Sequence, residues 1–256
     1  ALELAMACHF RVCTHGTKFS MPELQLAINP GAGGTQRLPR LIGAEAALRM
    51  LLTAKPVSAK QALEWGLVDA LCTPDELLDA AKELATSGGC PVRSSERVDK
   101  VSNSADNAVA FAAVEKTIAS GRGEIIAPKI MLSAVRVGLE ESFEAGLEQE
   151  QIGFAQCIDT PAPHNKLHLF FATRKTHKIP ELQALTPKQI QTAAVVGMGS
   201  MGTGIAQVLA AAGVSVPMLD TTEQAAELAM GKLHQSLARQ VKRGRRTEQQ
   251  MQDLMG

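Results

Sequence analysis

The stretch AAVVGMGSMGTGIAQVLAAAGVSVPMLD, residues 193–220, decides the fold class of the C-terminal part of this chain. An apolar strand over 194–196 leads into a glycine-rich turn, and a helix of small residues follows over 201–212. A second strand over 214–219 ends on an acidic residue, although Pro217 inside it lacks an N–H for a sheet. This order of elements predicts a βαβ unit that binds a nucleotide.

The three glycines of the turn have separate roles in such a unit. Gly197 permits the sharp exit from the strand, Gly199 lets the backbone approach a pyrophosphate, and Gly202 lets the helix pack closely on the strand. The free N–H groups and the dipole of the helix then hold the anion. We therefore predict the cofactor-binding residues to be Gly197, Gly199, Ser200, Met201, Gly202 and Asp220.

Asp220 indicates which dinucleotide this unit binds. It lies at the end of the second strand, 23 residues after Gly197. An acid there accepts hydrogen bonds from a ribose 2'-hydroxyl and repels a 2'-phosphate, so NAD is favoured over NADP. The alternative is a glycine-rich helix that packs on a sheet without a ligand. The unit occupies only the last 64 residues, and a complete dinucleotide-binding domain does not fit there.

Composition describes a globular chain of one large or two ordinary domains. The 256 residues are 45% hydrophobic and 20% charged, and 26 basic residues balance 26 acidic ones, which argues against nucleic acid as a partner. We expect no membrane span, because polar residues, Gly and Pro interrupt the least charged stretch, residues 202–219. The chain opens without Met or a signal peptide, and we expect a fragment cut at both ends.

The cysteines and histidines give no sign of a disulfide framework or a metal site. Five cysteines without a CxxC pair indicate a reducing compartment. His164 and His168 form the only histidine pair at helical spacing, and we interpret them as structural or solvent-facing. We therefore predict no metal.

Two glutamates near the start stand in unusual surroundings. Glu3 lies in an otherwise apolar helix start, and Glu23 lies in FSMPELQL, residues 19–26. The glycine-rich sequence PGAGGTQRLPR, residues 30–40, follows and opens a helix, which suits a close approach of backbone to ligand. By spacing alone the two glutamates would be ordinary surface charges.

These segments resemble known families. ELAMAC from Glu3, the dipeptide Pro22-Glu23, the glycine-rich segment from Pro30 and SAKQALEWGLVD over 58–69 resemble enoyl-CoA hydratases, the crotonase family. The C-terminal part, through VKRGRRT from Val241, resembles 3-hydroxyacyl-CoA dehydrogenases. In this order they resemble the multifunctional enzymes of fatty acid β-oxidation, of the type of bacterial fatty acid oxidation complex α subunits.

The resemblance implies roles for the two glutamates. Glu3 would act as base toward a water that adds to a 2-enoyl-CoA, and Glu23 would deliver the proton to the α-carbon. The family's two oxyanion-hole N–H donors would lie before Glu3, and the dehydrogenase's catalytic histidine and its partners would lie beyond Gly256, so this chain would lack them. Four positions depart from the family's usual residues: Ser20, Ala27, Asn29 and Ala54.

The predicted fold class is α/β, in three parts. Residues 1–88 form the C-terminal part of a crotonase-type spiral module of ββα repeats, 89–190 a helical connector, and 191–256 the first βαβ of a Rossmann domain. Inside the connector, helical pattern runs over 128–155 with an apolar stripe that is a packing surface. A loop over 87–91 and a basic, proline-containing linker over 174–180 separate the parts.

The resemblance implies an enzyme that hydrates 2-enoyl-CoA and oxidises the 3-hydroxyacyl-CoA product with NAD. An acyl-CoA thioester would be the substrate and a thiolase subunit a partner, in the cytoplasm of a bacterium or, alternatively, in a peroxisome. Two other hypotheses stay open: a truncated or degenerate copy that at most binds NAD or a partner subunit, and an isomerase on the same framework.

Overall fold

The computed structural model describes residues 1–87, 92–121, 123–176, 179–182 and 185–255. Two compact units divide the chain, Ala1–Ile179 and Pro180–Gly256. The predicted loop over 87–91 falls, apart from Ser87, outside the described residues. None of the described helices is both long and apolar enough to cross a membrane.

The first unit is mostly helical, with short strands. In chain order its elements are α1 (Leu2–Ala7), β1 (Val12–Thr14), β2 (Lys18–Phe19), a 3-10 turn (Glu23–Leu26), α2 (Gly34–Ile42), α3 (Ala44–Thr53), β3 (Val57–Ser58), α4 (Ala59–Trp65), β4 (Ala70–Cys72), α5 (Leu77–Thr86), α6 (Ser104–Ala119), α7 (Ala127–Glu140), α8 (Phe143–Ile158) and α9 (Pro161–Thr176).

One apolar core joins α1, α2, α3, α4, α6 and α7. Helix α2 lies at its centre and contacts α1, α3, α7 and α8. The largest buried apolar side chains of this core are Met6, Met21, Leu38, Leu41, Leu48, Leu51, Leu67, Met131 and Val135. Burial of each such side chain stabilises the fold by roughly 1.5–3 kcal/mol. The core fixes α1 and α2, the elements that carry the N-terminal site.

The strands pair in twos. β1 runs parallel to β4 with Val12 opposite Ala70, and β2 runs antiparallel to β3 with Phe19 opposite Val57. Arg11, just before β1, donates from its backbone N–H to Asp69 Oδ2 at 2.7 Å, and its guanidinium forms an ion pair with the same carboxylate at 3.1 Å. This partly buried pair joins the starts of the two parallel strands.

The helical stretch predicted over 128–155 is two helices. α7 ends at Glu140 and α8 begins at Phe143, because the Ser142 side chain accepts a hydrogen bond from the N–H of Ala145 and caps a new helix. The two helices pack against each other along their length. The apolar stripe predicted over 128–155 is therefore interrupted between α7 and α8. Helix α8 contacts α2.

The second unit contains the predicted βαβ order. Its elements are a 3-10 turn (Pro180–Leu182), β5 (Val195–Val196), α10 (Ser200–Ala211), β6 (Met218–Leu219), α11 (Glu223–Lys242) and α12 (Glu248–Met255). β5 and β6 are parallel, with Val195 opposite Met218. A small core of Leu233, Leu237 and Met251 joins α11 to α12.

Two predicted boundaries in the C-terminal half are wrong. The strand predicted over 214–219 pairs as a ladder only at Met218–Leu219, with one isolated bridge between Ser215 and Thr192, because Pro217 between them has no N–H to donate. The linker predicted from Arg174 starts inside α9, which continues to Thr176.

Candidate active site and nucleotide-binding turn

Glu3 binds the glycine-rich loop that precedes α2. Its Oε1 accepts hydrogen bonds from the N–H groups of Ala32 at 3.0 Å and Gly34 at 2.8 Å. Among the described residues no donor binds Oε2. One carboxylate oxygen therefore fixes the side chain, and the second stays free for a water or a substrate.

The loop needs glycine at two positions. Gly33 has a left-handed backbone with φ of 88°, and it caps the start of α2. At Gly34, a Cβ would lie 2.6 Å from Glu3 Oε1 and 2.6 Å from Met21 Cε. Because real Cβ atoms do not come so close, any larger residue at position 34 would displace Glu3.

Glu23 lies at the start of the 3-10 turn with a buried, unpartnered oxygen. Its Oε2 is shielded from solvent and has no hydrogen-bond partner among the described residues. Burial raises the pKa of this carboxyl, and the negative charges of Glu3 and Glu150 raise it further, against a backbone hydrogen bond that lowers it. These effects favour a protonated carboxyl, the form that a general acid needs.

The structure brings the two predicted glutamates into one cavity. It has a volume of about 510 Å³, and Glu3, Glu23, Phe19 and Met21 are among its lining residues. A carboxylate and a carboxyl of raised pKa therefore face the same partly apolar space. Carboxyls so placed can exchange protons with one small substrate.

A third carboxylate, Glu150 of α8, binds the same loop. The residue is 1% exposed. The N–H of Gly33 donates to Oε1 at 2.5 Å, and the N–H and hydroxyl of Thr35 donate to Oε2 at 2.9 and 2.5 Å. Burial raises the pKa of Glu150, and these three hydrogen bonds oppose the rise. Consecutive N–H groups of the loop thus alternate between Glu3 and Glu150.

The sequence did not predict Glu150. It lies 115 residues from Thr35 along the chain, and its neighbours Glu144 and Glu148 are exposed. The signal that could have found it is its position on the buried face of α8, which carries Gly146, Glu150, Gly153 and Cys157. A carboxylate on a face of small residues is unusual, since a buried acid needs donors.

Three of the four departures from the usual residues lie in constrained places. Ala27 and Ala54 have left-handed backbones, with φ of 59° and 51°, a conformation that glycine adopts more easily than alanine. Asn29 is fully buried and donates to the carbonyl of Glu150 at 3.3 Å. Ser20 lines the cavity that holds Glu3 and Glu23.

The glycine turn of the second unit has one open face and leads into an uncapped helix start. Gly197 is left-handed with φ of 96°, and a Cβ on Gly202 would collide with the carbonyl oxygen of Gly197. A Cβ on Gly199 would meet nothing within 4 Å, so this face of the turn is open. α10 starts at Ser200 without a side-chain cap, and its first N–H groups are available to an anion.

Asp220 closes the turn at the end of β6. Its Oδ2 accepts from the N–H of Met198 at 2.7 Å, and its Oδ1 accepts from the N–H of Thr221 at 2.7 Å. The hydrogen bond from Thr221 has the largest effect on the pKa of Asp220 and lowers it, and the bond from Met198 lowers it further. Asp220 lines a cavity of about 480 Å³ together with Gly199 and Ser200, whereas Met201 is exposed and does not line it.

No cluster of metal-ligating residues occurs in the part of the chain that the structure describes. His164 and His168 lie on α9 and are exposed. Cys8, Cys13, Cys72 and Cys157 are free thiols.

Two family models match the chain. Residues 1–95 match the enoyl-CoA hydratase/isomerase family, and residues 192–256 match the NAD binding domain of 3-hydroxyacyl-CoA dehydrogenase. The second match indicates NAD as the cofactor, and the open turn and free helix start are compatible with it.

Curated relatives carry both segments in the same order. The glyoxysomal fatty acid beta-oxidation multifunctional protein MFP-a of Brassica napus is 36% identical over 99% of this chain and 36% of its own length. The fatty acid oxidation complex subunit alpha of Idiomarina loihiensis is 36% identical over 94% of this chain and 35% of its own length. A solved enoyl-CoA hydratase from Mycobacterium avium is 27% identical, covering 61% of this chain and 55% of that chain, with a TM-score of 0.38.

These matches confirm the resemblance to multifunctional β-oxidation proteins and the α/β fold class. The chain spans about a third of the length of these curated relatives. The plant relatives are named as glyoxysomal or peroxisomal, and the Idiomarina relative is bacterial.

Proposed function

We propose that the protein is part of a bifunctional enzyme that hydrates 2-enoyl-CoA and oxidises the resulting 3-hydroxyacyl-CoA with NAD. The observation that carries the first step is the cavity shared by Glu3 and Glu23, in which Glu23 has a buried, unpartnered oxygen. The match of residues 192–256 supports the second step.

In the proposed hydration, the two carboxyls divide the elements of water. Glu3 takes a proton from the water while the water oxygen forms a bond to the β-carbon. The π bond between the α- and β-carbons breaks in the same step. Glu23 gives its proton to the α-carbon, so that one carboxyl gains the proton that the other loses and the product contains one added water. The raised pKa of Glu23 suits this role, because it favours the protonated form that a general acid needs.

In the proposed oxidation, this chain supplies the binding of the dinucleotide. Gly197, Gly199 and Gly202 would shape the turn, and the N–H groups of Ser200 and Met201 would meet the pyrophosphate. Asp220 would accept a hydrogen bond from the ribose. NAD, when bound, would accept the hydride from the carbon that carries the 3-hydroxyl, and the hydroxyl proton would be released as the 3-keto group forms.

Domain boundaries and partners are part of the proposal. We place a crotonase part at 1–88, a helical connector at 89–190 and the start of the NAD-binding domain at 191–256; the two matched segments support this division. A thiolase subunit is the proposed partner, since it would consume the 3-ketoacyl-CoA product. The proposed compartment is the bacterial cytoplasm, or a peroxisome as in the plant relatives.

The test is Glu23→Gln in the full gene product that carries this sequence. We expect kcat for hydration of crotonyl-CoA to fall about 10²- to 10⁴-fold, because the amide cannot deliver a proton. Oxidation of 3-hydroxybutyryl-CoA, followed as NADH formation, should be unchanged. Glu148→Gln, on the exposed face of α8, is the control. Hydration that survives Glu23→Gln would rule out the assigned role.

The same assay separates hydration from isomerisation. Incubation with 2-enoyl and 3-enoyl thioesters should yield the 3-hydroxyacyl product from the 2-enoyl substrate. If only the position of the double bond changes, the site is an isomerase.

A further inference from the structure

The loop before α2 is held by two carboxylates that divide its N–H groups. Ala32 and Gly34 donate to Glu3, and Gly33 and Thr35 donate to Glu150. The left-handed Gly33 turns the backbone, so that alternate N–H groups point to different acceptors. Any movement that breaks the Glu150 bonds therefore also moves the donors that fix Glu3.

Both side-chain oxygens of Glu150 accept hydrogen bonds from the loop, which is the arrangement of an ionised carboxylate. Glu150 is 1% exposed, and in the described residues no lysine or arginine forms an ion pair with it. Three hydrogen bonds and the N-terminal end of α2 compensate its charge instead. Burial of a carboxylate costs free energy that burial of an apolar side chain at position 150 would not cost. Packing alone therefore does not explain why a glutamate lies there.

The position of α8 is fixed independently of these bonds. Gly146 lies so close to α7 that a Cβ there would approach the Cα of Gly138 to 2.5 Å. Asn29 also donates to the backbone carbonyl of Glu150. The backbone of residue 150 is thus held by helix packing and by Asn29. Its carboxylate is therefore not needed to hold α8 in place, and it binds the loop.

We propose that Glu150 is a positioning residue of the hydratase site, which holds loop 31–35 so that the N–H groups of Ala32 and Gly34 present Glu3 to the substrate. This inference rests on the proposed function of Glu3. Glu150 acts through the loop, and it touches no reacting atom.

The charge of Glu150 gives the proposal a second, measurable effect. The carboxylates whose charges act on Glu23 are Glu3 and Glu150. The negative charge of Glu150 favours the protonated form of Glu23, the acid in the proposed reaction. Removal of this charge should move the alkaline limb of the kcat profile to lower pH, because Glu23 then ionises earlier.

The experiment compares Glu150→Gln with Glu148→Gln in the full gene product. We expect Glu150→Gln to lower kcat for crotonyl-CoA hydration by about 10- to 100-fold, as misplacement of a catalytic group does, and to shift the alkaline limb to lower pH. A lost fraction of folded enzyme would lower kcat without shifting that limb. Glu148→Gln should change neither quantity, because that side chain is exposed on the same helix.

A second pair of variants covers the case in which Glu150→Gln does not fold. Thr35→Val removes the hydroxyl that donates to Glu150 Oε2, and Thr35→Ser keeps it. We expect kcat to fall in the first variant and to stay near the wild-type value in the second. Hydrogen exchange of the amides of residues 32–35 should become faster in Thr35→Val alone.

The outcomes separate the two proposals. If the wild type hydrates crotonyl-CoA and folded Glu150→Gln keeps the same kcat and pH profile, the positioning role is wrong and the proposed function stands. Equal kcat in Thr35→Val and Thr35→Ser has the same meaning. If the wild type does not hydrate crotonyl-CoA, the proposed function fails, and the role of Glu150 falls with it.

Discussion

At the scale of single residues, Glu23 shows how a buried carboxyl costs stability at neutral pH. Its burial and the charges of Glu3 and Glu150 raise its pKa above the ordinary value of 4.5. A carboxyl whose pKa is higher in the folded state stabilises the fold fully below the unfolded-state pKa. That contribution is lost as pH rises through the folded-state pKa.

We therefore predict that Glu23→Gln stabilises the protein at neutral pH relative to the wild type. The difference in the free energy of unfolding should shrink as pH falls toward 4.5. Urea denaturation from about pH 4 to about pH 8 measures it. Exposed Glu148→Gln should show no such trend. A stability difference between Glu23→Gln and wild type that does not vary with pH would contradict a raised pKa of Glu23 in the folded state.

Among the elements, the turn between β5 and α10 was predictable because its geometry is local. Gly197 and Gly202 lie five residues apart, and the left-handed turn and the close contact follow from the spacing. The second strand was overpredicted, since Pro217 interrupts its ladder. α8 shows the opposite case: Ser142 starts a new helix, and only the folded chain brings Glu150 to a loop more than a hundred residues earlier.

The close contact in this turn leads to a prediction about α10. A Cβ on Gly202 would collide with the carbonyl of Gly197, whereas a Cβ on Gly231 of α11, which does not line the cavity of Asp220, would meet nothing within 4 Å. Gly202→Ala should displace the helix start and weaken NAD binding about tenfold or more, which corresponds to about 1.4 kcal/mol. Isothermal titration calorimetry with NAD measures this.

Gly231→Ala is the matched control for this prediction. Its methyl group would meet no neighbouring atom and Gly231 does not line the cavity of Asp220, so NAD affinity should stay within about twofold and α11 should gain roughly 0.5–1 kcal/mol from the loss of a helical glycine. Equal NAD affinity in Gly202→Ala and Gly231→Ala would show that the contact does not position the anion site.

At the scale of the whole molecule, many large apolar side chains of the described residues are exposed to solvent. All sheets among the described residues have two strands, so every strand has an unpaired edge. In the second unit Val196 is 80% exposed, Leu219 is 64% exposed and Val208 is 71% exposed. Contiguous apolar surface and open strand edges promote association between chains.

We predict that the 256-residue chain alone self-associates, because these edges and side chains find partners in other copies. Light scattering and size-exclusion chromatography over a range of concentrations should show species larger than the 27.1 kDa monomer. Val196→Lys, which puts a charge on an exposed strand position, should reduce association, since charges on edges oppose strand pairing. A monodisperse monomer with one cooperative melting transition would mean that the exposed strands and apolar side chains of this fold do not drive association.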